Sequence, residues 1–135
     1  MSDIAETLRR LTIVFTQFEG RLEATPLIRK LTRGRFELAD YQAFLVQLRQ
    51  QVKEGALWMS RAASNIDDSH LELRSLLMRH AVTEHRDFRL LEADYVASGG
   101  DVAVIQGGEK NIGSEALSAW MYHQASQPNP FGLLG

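Results

Sequence analysis

Apolar residues recur along the chain at steps of three and four, the period of an amphipathic helix, and no segment alternates with the period of two that marks a half-buried strand. Over residues 3 to 23 the stripe is Ile4, Leu8, Leu11, Phe15, Phe18 and Leu22, with Ser2 placed to cap its start. Thr25-Pro26 marks a second start, because proline at the first helical position loses no hydrogen bond and threonine can cap it; Gly34 stops this short helix. A long helix is predicted over residues 38 to 63, striped by Tyr41, Phe44, Leu45, Leu48, Val52, Trp58, Met59 and Ala62, with Asp40 in its first turn. Gly55 interrupts that stripe. A glycine inside a helix costs up to about 1 kcal/mol against alanine, so it marks a place where another backbone or a ligand comes close.

A polar turn containing Asn65, Asp67 and Asp68 leads to a third long helix, predicted over residues 69 to 97 and stopped by Gly99-Gly100. After a loop holding Gly107, Gly108 and Gly113, a fourth helix starts at Ser114 and ends near Pro128 and Pro130. The fold class is therefore all-α: a helical bundle of three long helices and one shorter one, a single domain over residues 1 to 135. Its last segment, "NPFGLLG", carries no charge, whereas exposed termini are normally polar. Phe131, Leu133, Leu134 and Gly135 are thus expected to enter a further helix or to pack on a partner, which makes the domain incomplete or the chain a homo-oligomer.

The net charge of −2 and the interspersed acidic and basic residues leave no electrostatic footprint for nucleic acid. The absence of cysteine excludes disulfides, thiolate metal sites and a cysteine nucleophile, and it fits a reducing compartment. No run approaches the ~18 apolar residues of a membrane span, and no apolar block marks a signal peptide, so no membrane partner is expected and the location is read as cytoplasmic.

Candidate chemistry lies on the third long helix, where Leu73, Leu77, His80, Glu84, Asp87, Leu91 and Asp94 alternate at steps of four and three. A carboxylate on a core stripe must be protonated, paired or bound to metal. His80, Glu84 and Asp87 are spaced to converge on one point, and they are ligand types that hold iron or manganese. The plainer reading has His80 and Glu84 satisfy each other, or an arginine, as a buried pair that fixes helix register. His85 lies on the flank as a weaker ligand candidate; His70 and His123 have no obvious partners. Trp58, Trp120 and Tyr122 read as core or interface anchors. Arg29, Lys30, Arg33 and Arg35 form the basic cluster, which complements a helix end or docks an acidic carrier protein or a substrate carboxylate. "QGGEKNIG" lacks the ending of a phosphate-binding loop.

The succession "TPLIRKLTRGRFELADYQAFL", "QVKEGALWMSRAAS", "LRSLLMRHAVTEHRDFRLLEADYVASGGD" and "NIGSEALSAWMYHQASQPNPFGLLG" resembles the haem-oxygenase-like superfamily, in its bacterial branch of iron-containing redox enzymes. The resemblance runs over nearly the whole chain. It implies a helical bundle around a central cavity, of which this chain is the N-terminal part. Haem degraders of the superfamily take a histidine from their first helix, and here none precedes His70; thiaminase-like members use a cysteine nucleophile, and there is none. Neither haem nor thiol chemistry is favoured, although a haem-binding protein remains an alternative.

The diiron branch takes a glutamate from the helix matching "HAVTEHRDF", which maps Glu84 onto a metal-ligand position, while Asp87 stands where a histidine is expected one turn later. By resemblance the protein is expected to be a non-haem iron oxidase or oxygenase, diiron or with manganese instead, acting with dioxygen on a small apolar or acyl substrate. The substrate would sit in a cavity beside Gln51, Gly55 and Trp58. The branch continues beyond the "LLG" segment into helices carrying further ligands, and one helix cannot supply about six ligands by itself. The competing expectation is a non-catalytic helical scaffold or oligomerisation module.

Overall fold

The computed structural model describes residues 3 to 133, which contain helices and no strand. The elements are α1 (Asp3–Ala24), α2 (Pro26–Thr32), α3 (Leu38–Ser64), α4 (Leu71–Glu84), α5 (Phe88–Ala97), α6 (Val102–Gly107) and α7 (Ile112–Ala125), with short 3-10 turns at Asp68–His70 and Phe131–Leu133. The predicted cap at Ser2 and the tail contacts of Leu134 and Gly135 lie outside the described residues. The all-helical class agrees with the sequence pattern, and the chain packs as two compact units, Met1–Tyr41 and Gln42–Gly135.

In the first unit α1 buries no residue. The sequence pattern located α2 correctly, with Pro26 in its first turn, but Thr25 does not cap it: its Oγ1 donates back to the Arg21 carbonyl at 3.2 Å. Gly34, at φ +63°, closes α2 as the left-handed residue that follows a helix, and the Arg35 N–H reaches back to the Lys30 carbonyl. Asp40 fixes the start of α3, because its Oδ2 accepts the Glu37 N–H at 3.1 Å and its Oδ1 accepts from Lys30 Nζ at 2.6 Å. Lys30 first, then the Glu37 N–H, hold the Asp40 carboxyl below its ordinary range.

The second unit gathers its core where α3 ends. Ala62, Ala63, Ile66, Leu77 and Ala125 are buried together, with Trp58, Met59, Leu73 and Leu133 packed against them. The three alanines let α3 and α7 come close, and Asn65 Nδ2 then reaches the Ala125 carbonyl at 2.9 Å. Farther along α3, Arg49 is buried and paired with Glu92 of α5 at 2.7 Å, its guanidinium 5.5 Å above the Phe88 ring. Gln50 donates to the Ile105 carbonyl of α6, and Gln47 is bonded to the Glu109 carbonyl and the Asn111 N–H before α7. Three polar side chains on one helix thus hold α5 and the segments that follow it.

Two predicted elements need correction. The helix expected from 69 to 97 is two helices, broken at His85, Arg86 and Asp87 without a glycine or proline. The break coincides with side chains bonded to backbone carbonyls: His85 Nδ1 takes the Val82 carbonyl at 2.7 Å, and Thr83 Oγ1 takes that of His80 at 2.7 Å. The backbone tightens there to Asp87 N–H to Glu84 and Leu90 N–H to Asp87 bonds. The loop before the fourth helix holds α6, capped by Asp101 accepting the Ala103 N–H at 2.9 Å, and α7 is capped by Asn111, three residues earlier than the predicted start at Ser114. Gly55, expected to mark the approach of another backbone, faces only Met59 Cε of its own helix at 4.0 Å.

Candidate functional site

The last turns of α4 bring His80 and Glu84 together, with Nε2 and Oε1 3.5 Å apart. Both side chains reach solvent, His80 55% and Glu84 36% exposed. The buried row of α4 is Leu77 and Ala81, and His80 lies about 100° round the helix from Ala81. The step-of-three-and-four stripe drawn through His80 therefore runs along the edge of the buried face. This pair is not a buried register lock.

Asp87 is the last residue of the break, at the position before α5, with no cap hydrogen bond from its side chain. His85 has both ring nitrogens engaged: Nδ1 on the Val82 carbonyl and Nε2 accepting from Arg86 Nε at 3.0 Å. The four candidate ligands thus resolve into one close pair, His80 with Glu84, and two residues held in the turn. Among the described residues no three His, Asp or Glu side chains are grouped so that they could hold a metal ion.

Beside the turn, an open apolar groove of about 480 Å³ lies between α3 and α4, lined by Ala56, Leu57 and Ser60 from one, Met78 and Val82 from the other, and His85 from the turn. None of the predicted cavity residues lines it. Gln51 points to α7, donating to the Ser114 carbonyl at 2.7 Å, and Trp58 packs on the alanine core. The basic residues Arg29, Lys30, Arg33 and Arg35 surround a shallow hollow of about 250 Å³ in the first unit, with Lys30 committed to Asp40.

Two polar clusters escaped the sequence reading. At the entry to α4, Ser69 Oγ lies 2.5 Å from Asp67 Oδ1 and 2.8 Å from His70 Nδ1, which itself lies 3.2 Å from the same carboxylate oxygen. The residue types are those of a hydrolytic triad, but one ring nitrogen faces both serine and aspartate, whereas a proton relay needs opposite nitrogens. The cluster starts a helix. Asp67 also accepts from Asn129 Nδ2 at 2.6 Å, while Asn129 Oδ1 accepts the Asp67 N–H at 3.0 Å. Ser69, then Asn129 and His70, hold the Asp67 carboxyl well below the usual carboxylate range. The second cluster joins Glu54 of α3 to Lys110 before α7. Burial works to raise the Glu54 carboxyl, but Lys110 and the nearby Ser118 hydroxyl outweigh it and leave it lowered. Burial and the charge of Glu54 raise the Tyr122 phenol. Adjacent Asp and Ser before a helix were the available signal for the first cluster; the second joins residues 56 apart and had none.

Comparison with protein-family models, with curated proteins and with solved structures finds no match. The residues themselves provide the test of the iron centre that the resemblance implies. A diiron centre takes about six side-chain ligands from several helices. The described residues bring two together, so they do not fit a complete diiron centre.

Proposed function

We propose that this chain is a helical assembly module that works as a homo-oligomer. The observation that carries the reading is α1, a 22-residue helix with a continuous apolar stripe and no buried residue. A large apolar face left in water marks an interaction surface, and a surface helix owes most of its stability to what covers that face. The groove between α3 and α4 adds Leu57, Met78 and Val82, each half or more exposed. Association that stabilises the folded state makes stability depend on concentration. The test is the thermal unfolding midpoint at two protein concentrations a hundredfold apart. The midpoint rises if the module self-associates; an identical midpoint rejects the reading.

The 3.5 Å His80–Glu84 pair favours a second reading. Imidazole and carboxylate one turn apart are two ligands of a non-haem iron site, and a second copy of the chain would bring the set to four, enough for a single iron ion though not for a diiron centre. On this reading the protein is an oxidoreductase of the kind the resemblance implies, with iron shared between copies. Anaerobic Fe(II) titration beside Glu84→Ala is decisive: saturable binding lost in the variant supports it, and absence of binding in the parent protein rejects it. No helix among the described residues is long and apolar enough to cross a membrane.

A further inference from the structure

We infer that α1 pairs with α1 of a second copy as an antiparallel two-helix coiled coil, an inference that rests on the assembly reading and gives it a surface. The seam is Ile4, Leu8, Leu11, Phe15, Phe18 and Leu22, spaced four, three, four, three and four over the length of α1. That is the alternation by which two helices hold their apolar rows against one another. These six residues are 40 to 73% exposed, and none of them is charged.

Area and layer composition identify the occupant. Six large apolar side chains, each two-fifths or more exposed along a 22-residue helix, approach the ~800 Å² that each partner of a standard stable interface buries. A row of this length needs a partner helix equally long and equally apolar, which a second α1 provides. The antiparallel alignment matches Ile4 with Leu22, Leu8 with Phe18 and Leu11 with Phe15 of the other copy. Every aromatic ring then meets an aliphatic side chain. The parallel alignment would instead stack Phe15 on Phe15 and Phe18 on Phe18, with leucine on leucine elsewhere, giving layers of unequal volume.

The flanking positions agree with this orientation. Val14 meets Val14 and Thr12 meets Thr12 at the centre; Arg21 of one copy lies beside Thr7 of the other, and Glu19 beside Ala5. No like charges oppose one another across the seam. The acidic first turn, with Asp3 and Glu6, comes level with the last turn that carries Arg21, and the two helix dipoles lie antiparallel, each positive end beside the other's negative end.

Because the chain has no cysteine, engineered thiols report the pairing without background. Thr7→Cys and Arg21→Cys chains are mixed and oxidised, and the molar mass of the Leu11→Glu/Phe15→Glu double variant is measured beside the parent protein. The inference expects disulfide-linked dimers from the mixture far in excess of either chain alone, and a monomeric double variant. Equal cross-linking in the single-thiol chains, or a double variant still dimeric, overturns the seam while leaving the assembly reading standing through another surface. A monomeric parent protein overturns both. The cross-linking arm keeps the seam residues intact, so it decides even if the double variant misfolds.

Discussion

Arg49 Nε and Nη2 both reach Glu92 Oε1, at 2.8 and 2.7 Å, and this pair ties the middle of α3 to α5 with both side chains largely withdrawn from water. A second oxygen of Glu92 accepts from Gln106 at 3.3 Å, so the same carboxylate also restrains α6. Removing one partner leaves the other charge buried without compensation, which costs more than the pair contributes. Glu92→Ala should therefore lower unfolding stability by about 3 kcal/mol. The Arg49→Met/Glu92→Leu double variant should lose much less. Urea denaturation midpoints of the two proteins check the order.

Gly108 lies at an ordinary backbone conformation, φ −61°, yet a Cβ there would stand 2.5 Å from Val46 Cγ1 and 3.2 Å from Gln50 Nε2. The loop between α6 and α7 lies directly on α3. Gly108→Ala is expected to cost about 1–3 kcal/mol through overpacking. Val46→Ala in the same chain should recover part of that loss, measured as the recovery of the thermal midpoint.

The Asp67 carboxylate supplies a pH dependence with a defined sign. Its folded value is lowered by Ser69, Asn129 and His70, so its charged form is preferred in the folded protein and its contribution is fully present above the ordinary aspartate value of 3.8. As pH falls below that value toward the lowered folded one, the contribution is lost. Asn129→Ala removes both bonds to residue 67 and places alanine at φ +46°. The variant should be less stable at neutral pH and show a smaller decline on acidification than the parent protein. Chemical denaturation at neutral pH and below pH 4 measures both.

Helical period was enough to locate α1 and α3, because each has a long apolar row, whereas α2 was located by the Thr25-Pro26 start and the Gly34 stop. It failed at α4 and α5 for a reason that the period cannot contain: the break, where His85 and Thr83 side chains take carbonyls, leaves Leu77, Ala81, Phe88 and Leu91 in phase on either side. The short α6 was hidden among glycines; its signal was Asp101 ahead of Val102. Glu84 and His80 were correctly read as neighbours, since four residues on a helix is a fixed geometry. Their burial was not legible, because the apolar rows through Leu77 and through Ala81 differ by about one residue in phase and only packing selects between them. The Arg49–Glu92 and Glu54–Lys110 pairs join residues distant in sequence, and no local pattern encodes them.

Self-association through α1 requires that another copy cover its apolar face. Sedimentation velocity of the parent protein across a hundredfold range of micromolar concentration measures this directly. The expected result is a species of twice the chain's mass that dissociates on dilution or upon Leu11→Glu/Phe15→Glu. A single monomeric species across the whole range would contradict it.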